Sequence, residues 1–166
     1  MKNIGIFYGT TTGMTAEVAE KIANQLGVDS SNVKNVTSVR PADVSDYDLI
    51  MFGCSTWGSG DMQGEMHDFL DGVSALYLKG KQIALFGCGD ESMSDTFCDG
   101  VGEMREMLES CQADFVGEFD TDGYEFEKSK AVDENGLAVG LLIDNTNHAD
   151  LTDSRIKRWC LQFEIA

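Results

Sequence analysis

The chain alternates short apolar runs with stretches in which apolar residues recur every three or four positions. Continuous runs such as residues 49–53 are typical of parallel strands that are buried on both faces. The pattern predicts five strands, at residues 3–8, 33–36, 49–53, 82–86 and from Asp114 onward. A polar insertion at about residues 119–140 interrupts the fifth strand, which continues at residues 141–143.

Four stretches with apolar residues at helical spacing predict helices, and residues 41–48 predict one helical turn. The first helix covers residues 15–26 and ends at Gly27, and the last begins near Thr152 as its N-cap. The predicted buried positions are Val18, Ala19, Ile22, Ala23 and Leu26 in the first helix; Met62, Met66, Phe69, Leu70 and Val73 in the second; Phe97, Val101, Met104, Leu108 and Cys111 in the third; and Ile156, Trp159, Cys160 and Phe163 in the last. Strands alternating with helices predict an α/β fold, a parallel sheet with helices on both sides, in one domain over residues 1–166.

Three loops rich in glycine, threonine and serine follow predicted strands. They are the first loop (residues 9–15), the second loop (residues 54–61) and the third loop (residues 87–95). Because ligands bind beyond the carboxyl ends of parallel strands, the three loops are expected to form one site. The first loop precedes a helix and contains no lysine, arginine or histidine, which favours a terminal monophosphate held by neutral donors over a nucleoside triphosphate. The alternative for this loop is an ordinary helix-capping turn.

The net charge of −17 bears on which classes of molecule the protein can bind. With 29 acidic against 12 basic residues, the chain is unsuited to nucleic acid or anionic membranes and suited to basic protein surfaces, although solubility alone would also explain the charge. No apolar run approaches the ~20 residues that span a bilayer, and no signal peptide precedes the first strand. The five cysteines lack C-x-x-C spacing, so we expect no structural disulfide and a cytoplasmic location. His67 and His148 look isolated, and no metal site is predicted.

Six segments together carry a resemblance to a known family. They are Thr10-x-Thr12-Gly13-x-Thr15, Ser55-Thr56-Trp57-Gly58, Gly87-x-Gly89-Asp90, the pair Thr121-Asp122-Gly123-Tyr124 and Ser129-Lys130-Ala131, and Asp150-Leu151-Thr152-Asp153-x-Arg155-Ile156. Because these segments are spread along the chain, the whole chain resembles a long-chain flavodoxin. The resemblance implies a flavodoxin-like three-layer α/β/α sandwich. Its five-stranded parallel sheet would have the order 2-1-3-4-5, with the last strand interrupted by the insertion.

The same resemblance implies non-covalently bound FMN and assigns it three sets of residues. They are Thr10, Thr11, Thr12, Gly13, Met14 and Thr15 for the phosphate; Ser55, Thr56, Trp57, Gly58, Ser59 and Gly60 in the second loop; and Cys88, Gly89, Asp90, Met93, Thr96 and Cys98 in and after the third loop. Thr56 is expected near the ribityl chain, which Asn145, Thr146 and Asn147 are further candidates to reach. Trp57 is expected to stack on the flavin ring, its alternative being a core position. Met93 stands where the family commonly has a tyrosine over the other ring face, which leaves the redox potentials open.

Two features of the loops bear on redox chemistry. The resemblance implies that the Gly58–Ser59 peptide flips, which glycine at 58 makes easy, so that its carbonyl accepts a hydrogen bond from the protonated ring nitrogen of the semiquinone. Acidic residues in or beside the loops would disfavour the anionic hydroquinone and ring the exposed flavin edge for basic partners. These acids are Asp61, Glu65, Asp90, Glu91, Asp95 and Asp99.

The resulting prediction is a monomeric, low-potential one-electron carrier that shuttles FMN between semiquinone and hydroquinone and is not an enzyme. Its candidate partners are ferredoxin/flavodoxin-NADP reductase, pyruvate-oxidising enzymes and nitrogenase, and the sequence does not choose among them. The alternative is an FMN-dependent NAD(P)H:quinone reductase on the same fold, since fold alone does not fix function. A phosphorylation-dependent receiver domain is disfavoured because the first strand ends at Tyr8-Gly9, without the acids that such a site needs.

Overall fold

A parallel sheet forms the centre of the protein. A computed structural model describes residues 3–9, 13–56, 62, 64–92 and 96–163. In these ranges the strands are β1 (Ile4–Tyr8), β2 (Val33–Asn35), β3 (Leu49–Ser55), β4 (Gln82–Cys88), β5 (Asp114–Val116) and β6 (Leu141–Ile143). The order is β2-β1-β3-β4-β5, with β6 also paired to β4 and all pairings parallel. The predicted fold class and strand order are confirmed.

The last strand is interrupted, as predicted. Residues 82–84 of β4 pair with β5, and residues 86–88 of the same strand pair with β6. The insertion between β5 and β6 occupies residues 117–140, slightly more than the sequence pattern indicated. It carries its own antiparallel contacts, with Ala138 bridging to both Phe119 and Val132. The insertion therefore divides one strand of the sheet into two parts, β5 and β6, which both pair with β4.

Four helices cover the sheet in the described ranges. They are α1 (Met14–Leu26), α2 (Gly64–Val73), α3 (Asp99–Leu108) and α4 (Thr152–Cys160). Helix α1 packs against α4 and α2 packs against α3, which gives the three-layer arrangement. The predicted faces of the first two helices are buried, apart from a half-buried Leu26 in α1, and residues 41–46 form a short 3-10 helix. Gly27 ends α1 at a φ of 69°.

Several predicted boundaries differ from the observed ones. Strands β3 and β4 each extend two residues beyond the prediction because their ends pair with each other, Ser55 opposite Cys88. Phe97 lies before α3, and Phe163 is only half-buried after α4. The prediction that Thr152 is an N-cap is wrong. A 3-10 turn (Ala149–Leu151) runs directly into α4, so the hydroxyl of Thr152 donates instead to Asn145 Oδ1.

All five cysteines are described and buried, and none of them forms a disulfide, which agrees with the prediction of no structural disulfide. None of the helices in the described ranges combines the length and the apolar composition that crossing a bilayer requires.

Candidate functional site

The carboxyl ends of β1, β3 and β4 meet at one edge of the sheet. Hydrogen bonds join the points where the loops begin: Gly9 N donates to Gly53 O at 3.0 Å, and Thr56 N donates to Cys88 O at 3.0 Å. Gly89 N donates to Ile143 O at 2.9 Å, which adds the end of β6. The three loops therefore leave the sheet side by side. Residues 10–12, 57–61 and 93–95, with the predicted Trp57 and Met93, lie outside the described residues.

The start of α1 has the features of an anion site. Gly13, at a φ of 88°, turns the chain into the helix, and the first-turn N–H groups of α1 face the loop edge. Thr15 is fully buried; its hydroxyl lies beside the thiol of Cys88, where burial raises the pKa of that thiol and the hydroxyl lowers it in part, but it makes no hydrogen bond of regular geometry with the described residues. Since buried hydroxyls are nearly always hydrogen-bonded in proteins, this oxygen indicates a place for a ligand acceptor.

The second loop is attached to the start of α3. Thr56 Oγ1 accepts a hydrogen bond from Gly100 N at 3.0 Å, and Thr56 also forms a bridge with Met62. A hydroxyl that accepts one hydrogen bond can still donate another. Thr56 is thus held at the edge with one donor left to offer a ligand.

The described part of the third loop is shaped by close packing. A Cβ at Gly89 would lie 2.9 Å from Cys98 N, so only glycine fits there. Asp90 Oδ1 accepts hydrogen bonds from the hydroxyl of Ser92 at 2.6 Å and from Ser92 N at 2.9 Å. These bonds, followed by one from Asn147, lower the pKa of Asp90, so its carboxylate stays charged. The loop keeps a fixed negative charge at the edge.

Three cysteines lie near the same edge as neutral thiols. Burial raises the pKa of Cys88 to about 12. Burial likewise raises the pKa values of Cys54 and Cys98 well above that of a free thiol. Because a reactive cysteine needs a lowered pKa, these residues are not poised as nucleophiles.

Two acids that were expected on the exposed rim are buried. Glu91 and Asp99 are each 5% exposed. Glu91 Oε1 accepts from Glu125 N at 3.1 Å, and Asp99 Oδ1 accepts from Lys130 N at 2.7 Å. The prediction that both ring the exposed edge is wrong, because the insertion covers them and supplies their donors.

His148 is not isolated, contrary to the sequence prediction. Its Nε2 lies 2.6 Å from Glu91 Oε2, and Asp144 completes a group whose potential ligand atoms all lie within 4.8 Å of one another. Asp144 Oδ1 accepts from the backbone N–H groups of Thr146 and Asn147, and its Oδ2 accepts from Glu91 N and Asn147 Nδ2. Four donors match the four lone-pair sites of a carboxylate, so this oxygen pair is already saturated without a cation. We assign no metal to the group.

Sequence patterns missed the contact between the insertion and the third-loop region. Phe97 packs on Phe126 with ring centroids 5.1 Å apart, and its carbonyl accepts a hydrogen bond from the hydroxyl of Ser129. A Cβ at Gly102 in α3 would overlap the Lys130 carbonyl. A glycine within the apolar stripe of a helix was the available signal for such a close approach.

The three candidates after β6 divide between two sides of the edge. Asn145 lines a cleft of about 510 Å³ together with Gly13 and Met14, beside the first loop. Asn147 instead donates through Nδ2 to Asp90 Oδ1 at 2.7 Å and so joins the third loop. The exposed Thr146 donates its backbone N–H to Asp144. Asn145 is therefore the candidate placed beside the proposed phosphate end.

Comparison with known proteins gives a consistent result. Residues 6–159 match the protein family described as Flavodoxin. A flavodoxin of Haemophilus influenzae is 38% identical over 163 residues, covering 98% of this chain and 94% of that protein. A flavodoxin of Trichodesmium erythraeum is 40% identical over 167 residues, covering 99% and 97%. The crystal structure of Fusobacterium nucleatum flavodoxin bound to flavin mononucleotide is similar with a TM-score of 0.88, at 28% identity and over 99% of this chain and 98% of that one.

Proposed function

The chain belongs to the flavodoxin family, and on that premise we propose that it binds FMN non-covalently and carries single electrons between redox proteins. When bound, FMN supplies the electron chemistry, a shuttle between semiquinone and hydroquinone. The observation that carries the proposal is the buried hydroxyl of Thr15 at the start of α1, on the edge where the three loops meet, which makes no regular hydrogen bond with any residue in the described ranges. The chain would have no substrate of its own.

The phosphate end of the cofactor would lie on residues 10–15. The first-turn N–H groups of α1 and the hydroxyl of Thr15 are donors that suit a phosphate, while Lys21, which also lines the adjoining cleft, is paired with Asp153 at 2.8 Å. A net charge of −17 opposes any anion at long range, so close donors must supply the affinity. Asn145 across the cleft is a further donor for this end.

The ring end would lie against the second and third loops, with Trp57 and Met93 over its two faces. Several backbone groups there already have partners: Cys88 O accepts from Thr56 N, Thr96 O from Asp99 N, and Cys98 O from Val101 N. Backbone groups of Asp90, Thr96 and Cys98 would meet the polar edge of the ring, and a carbonyl that already accepts one hydrogen bond keeps a second lone pair for it. The Gly58–Ser59 carbonyl would accept a hydrogen bond from the ring N–H that forms when a proton accompanies the first electron.

Acidic residues would lower the potential of the second electron. Asp90 keeps its charge because its pKa is lowered by Ser92, and Glu65 is exposed at the start of α2. Negative charge placed on the ring is disfavoured by such neighbours. For one electron, ~1.4 kcal/mol corresponds to roughly 59 mV, so a few kcal/mol would shift this potential by on the order of 100–200 mV.

The proposed partners are redox proteins with basic surfaces that dock on this acidic edge. Reductases for NADP, pyruvate-oxidising enzymes and nitrogenase are the candidate classes. Exposed charges at such an interface act on the association rate and on its salt dependence more than on the final affinity. A single domain, a monomer and a cytoplasmic location remain predictions.

An anaerobic redox titration followed by visible absorption tests the proposal. The protein loaded with FMN should pass through a one-electron-reduced form with long-wavelength absorption and then need a much lower potential for the second electron. Bleaching in one two-electron step, with NAD(P)H oxidised in the absence of a partner protein, would instead favour the quinone-reductase alternative. Failure to take up FMN at all would overturn the assignment of the site.

A further inference from the structure

Glu91 is a buried acid at which three segments of the chain meet. Its Oε1 accepts from Glu125 N of the insertion at 3.1 Å. Its Oε2 lies 2.6 Å from His148 Nε2, after β6. Its own backbone N–H donates to Asp144 Oδ2 at 3.0 Å. One residue of the third loop is thus fixed to the insertion and to the turn that follows β6.

The turn after β6 is rigid enough to serve as an anchor. Asp144 is 1% exposed and holds the turn through the N–H groups of Thr146 and Asn147, both at 3.0 Å. Asn147 Nδ2 donates to Asp144 at 2.8 Å and to Asp90 at 2.7 Å. Asp90 and Glu91 are therefore both tied to one closed set of hydrogen bonds.

A buried carboxylate costs free energy unless it is paired and hydrogen-bonded. Glu91 meets this condition only while the insertion and His148 stay in place: Glu125 N donates a hydrogen bond to Oε1, and the His148 imidazole is the close neighbour of Oε2, 2.6 Å away, although this contact lacks regular hydrogen-bond geometry. Release of the third loop would leave Glu125 N and the imidazole without the carboxylate. The loop and its two neighbours consequently hold their positions together.

We propose that Glu91 is a positioning residue for the flavin ring, which holds residues 89–92 in their binding geometry before the cofactor arrives. This inference rests on the proposed FMN function. Asp90 and Gly89 adjoin Glu91, so the loop that would meet the polar edge of the ring is already ordered by contacts that do not involve a ligand. Ordering a binding loop in advance reduces the free-energy cost of binding. The insertion then contributes to flavin affinity without touching the flavin.

Glu91→Gln tests this role, with Asp133→Asn as the matched control. Asp133 also caps backbone N–H groups, those of Asn135 at 2.8 Å and Leu137 at 3.0 Å, and none of the hydrogen bonds described for its side chain reaches residues 89–99. Both variants remove one negative charge and keep the side-chain shape. Dissociation constants of FMN and of riboflavin, measured by quenching of flavin fluorescence, separate the two ends of the site because riboflavin lacks the phosphate.

Glu91→Gln should weaken FMN and riboflavin by the same factor, about tenfold or more, because a charge-assisted contact is lost at the ring end alone. Asp133→Asn should leave both constants unchanged. In the apoprotein, amide hydrogen exchange at residues 91 and 125 should become faster in Glu91→Gln.

Unchanged flavin affinity in Glu91→Gln would overturn the inference. So would a much larger loss for FMN than for riboflavin, because that result means general loosening that reaches the phosphate loop. If Glu91→Gln does not fold, His148→Gln replaces it under the same criteria, since the His148 side chain is 27% exposed and tolerates change better. If the unsubstituted protein does not bind FMN, the proposed function itself is refuted. That outcome differs from a failure of the inference about Glu91, which would appear only in the comparison of the variants with the unsubstituted protein.

Discussion

Gly102 is the position where the insertion presses most closely on α3, and Gly102→Ala measures that contact. A Cβ there would overlap the carbonyl of Lys130 and lie 2.8 Å from Ala131 N. These are backbone atoms, and they are fixed: Lys130 N donates to Asp99 at 2.7 Å, and Ala131 N donates to Ser129 Oγ at 3.0 Å. The insertion cannot move aside without breaking the hydrogen bond from Lys130 N to the buried Asp99.

The expected net effect of Gly102→Ala is a loss of stability. Overpacking against a fixed neighbour costs up to about 3 kcal/mol, while alanine gains ~1 kcal/mol over glycine within a helix. The balance, about 2 kcal/mol, corresponds to a fall of ~4–8 °C in the Tm of the apoprotein for a chain of this length. Thermal unfolding followed by circular dichroism measures the fall, and hydrogen exchange at residues 130 and 131 locates it.

Gly64→Ala is the matched control for Gly102→Ala. Gly64 is the first residue of α2, and a Cβ there would meet no atom within 4 Å. This variant should gain up to about 1 kcal/mol from helix propensity alone. If Gly102→Ala raised the Tm as Gly64→Ala does, the close contact between α3 and the insertion would be disproved.

Three further predictions concern the site. Thr15→Val should change the stability of the apoprotein little, because the hydroxyl makes no regular hydrogen bond with the part of the chain that the structure describes, yet weaken FMN about tenfold in a fluorescence titration; equal affinities would exclude the hydroxyl as a phosphate donor. Because the pKa of Asp90 is lowered on folding, its charge stabilises the protein above the unfolded pKa and ceases to do so as pH falls through the folded value. Urea midpoints should therefore show Asp90→Asn less stable than the unsubstituted protein at pH 7, with the difference shrinking below pH ~4, whereas a constant difference would contradict this linkage. Glu65→Gln combined with Asp90→Asn should raise the second reduction potential by tens of mV and, in stopped-flow kinetics, weaken the salt dependence of reduction by a basic reductase; if neither changed, the electrostatic argument would fail.

Much of the fold follows from local patterns. The apolar run at residues 49–53 identifies a buried parallel strand because it lacks alternation, and the stripe of α1 identifies its buried face. The extra residues of β3, through Ser55, depend on pairing with β4, which a local pattern does not contain. Thr152 was misassigned for a similar reason, since an adjoining 3-10 turn decides where α4 begins.

The sequence predicted the individual loops of the site, but not the hydrogen bonds and ion-pair contacts that join the third loop to distant parts of the chain. Glycine and threonine at a strand-to-helix junction carry the anion-site signal within a few residues, as at Gly13 and Thr15. Glu91 stands between two polar loop residues, so its surroundings in sequence indicate exposure. Its burial comes from Glu125 and His148, which lie far along the chain and share no motif with it. Such long-range partners are fixed by topology, not by neighbouring residues.

The two halves of the interrupted strand leave and rejoin the sheet almost without a gap. Val116 is opposite Ala84, Leu141 is opposite Phe86, and a Cβ at Gly140 would overlap the carbonyl of Leu85 between them. The two attachment points are thus about 7 Å apart along β4, the rise of two strand residues. Joining Val116 directly to Gly140 would restore a continuous strand in unchanged register. The insertion can therefore change in length, or be absent, without altering the register of the sheet, and such a change would reach the site through Glu91 and Asp99, whose carboxylates accept hydrogen bonds from it.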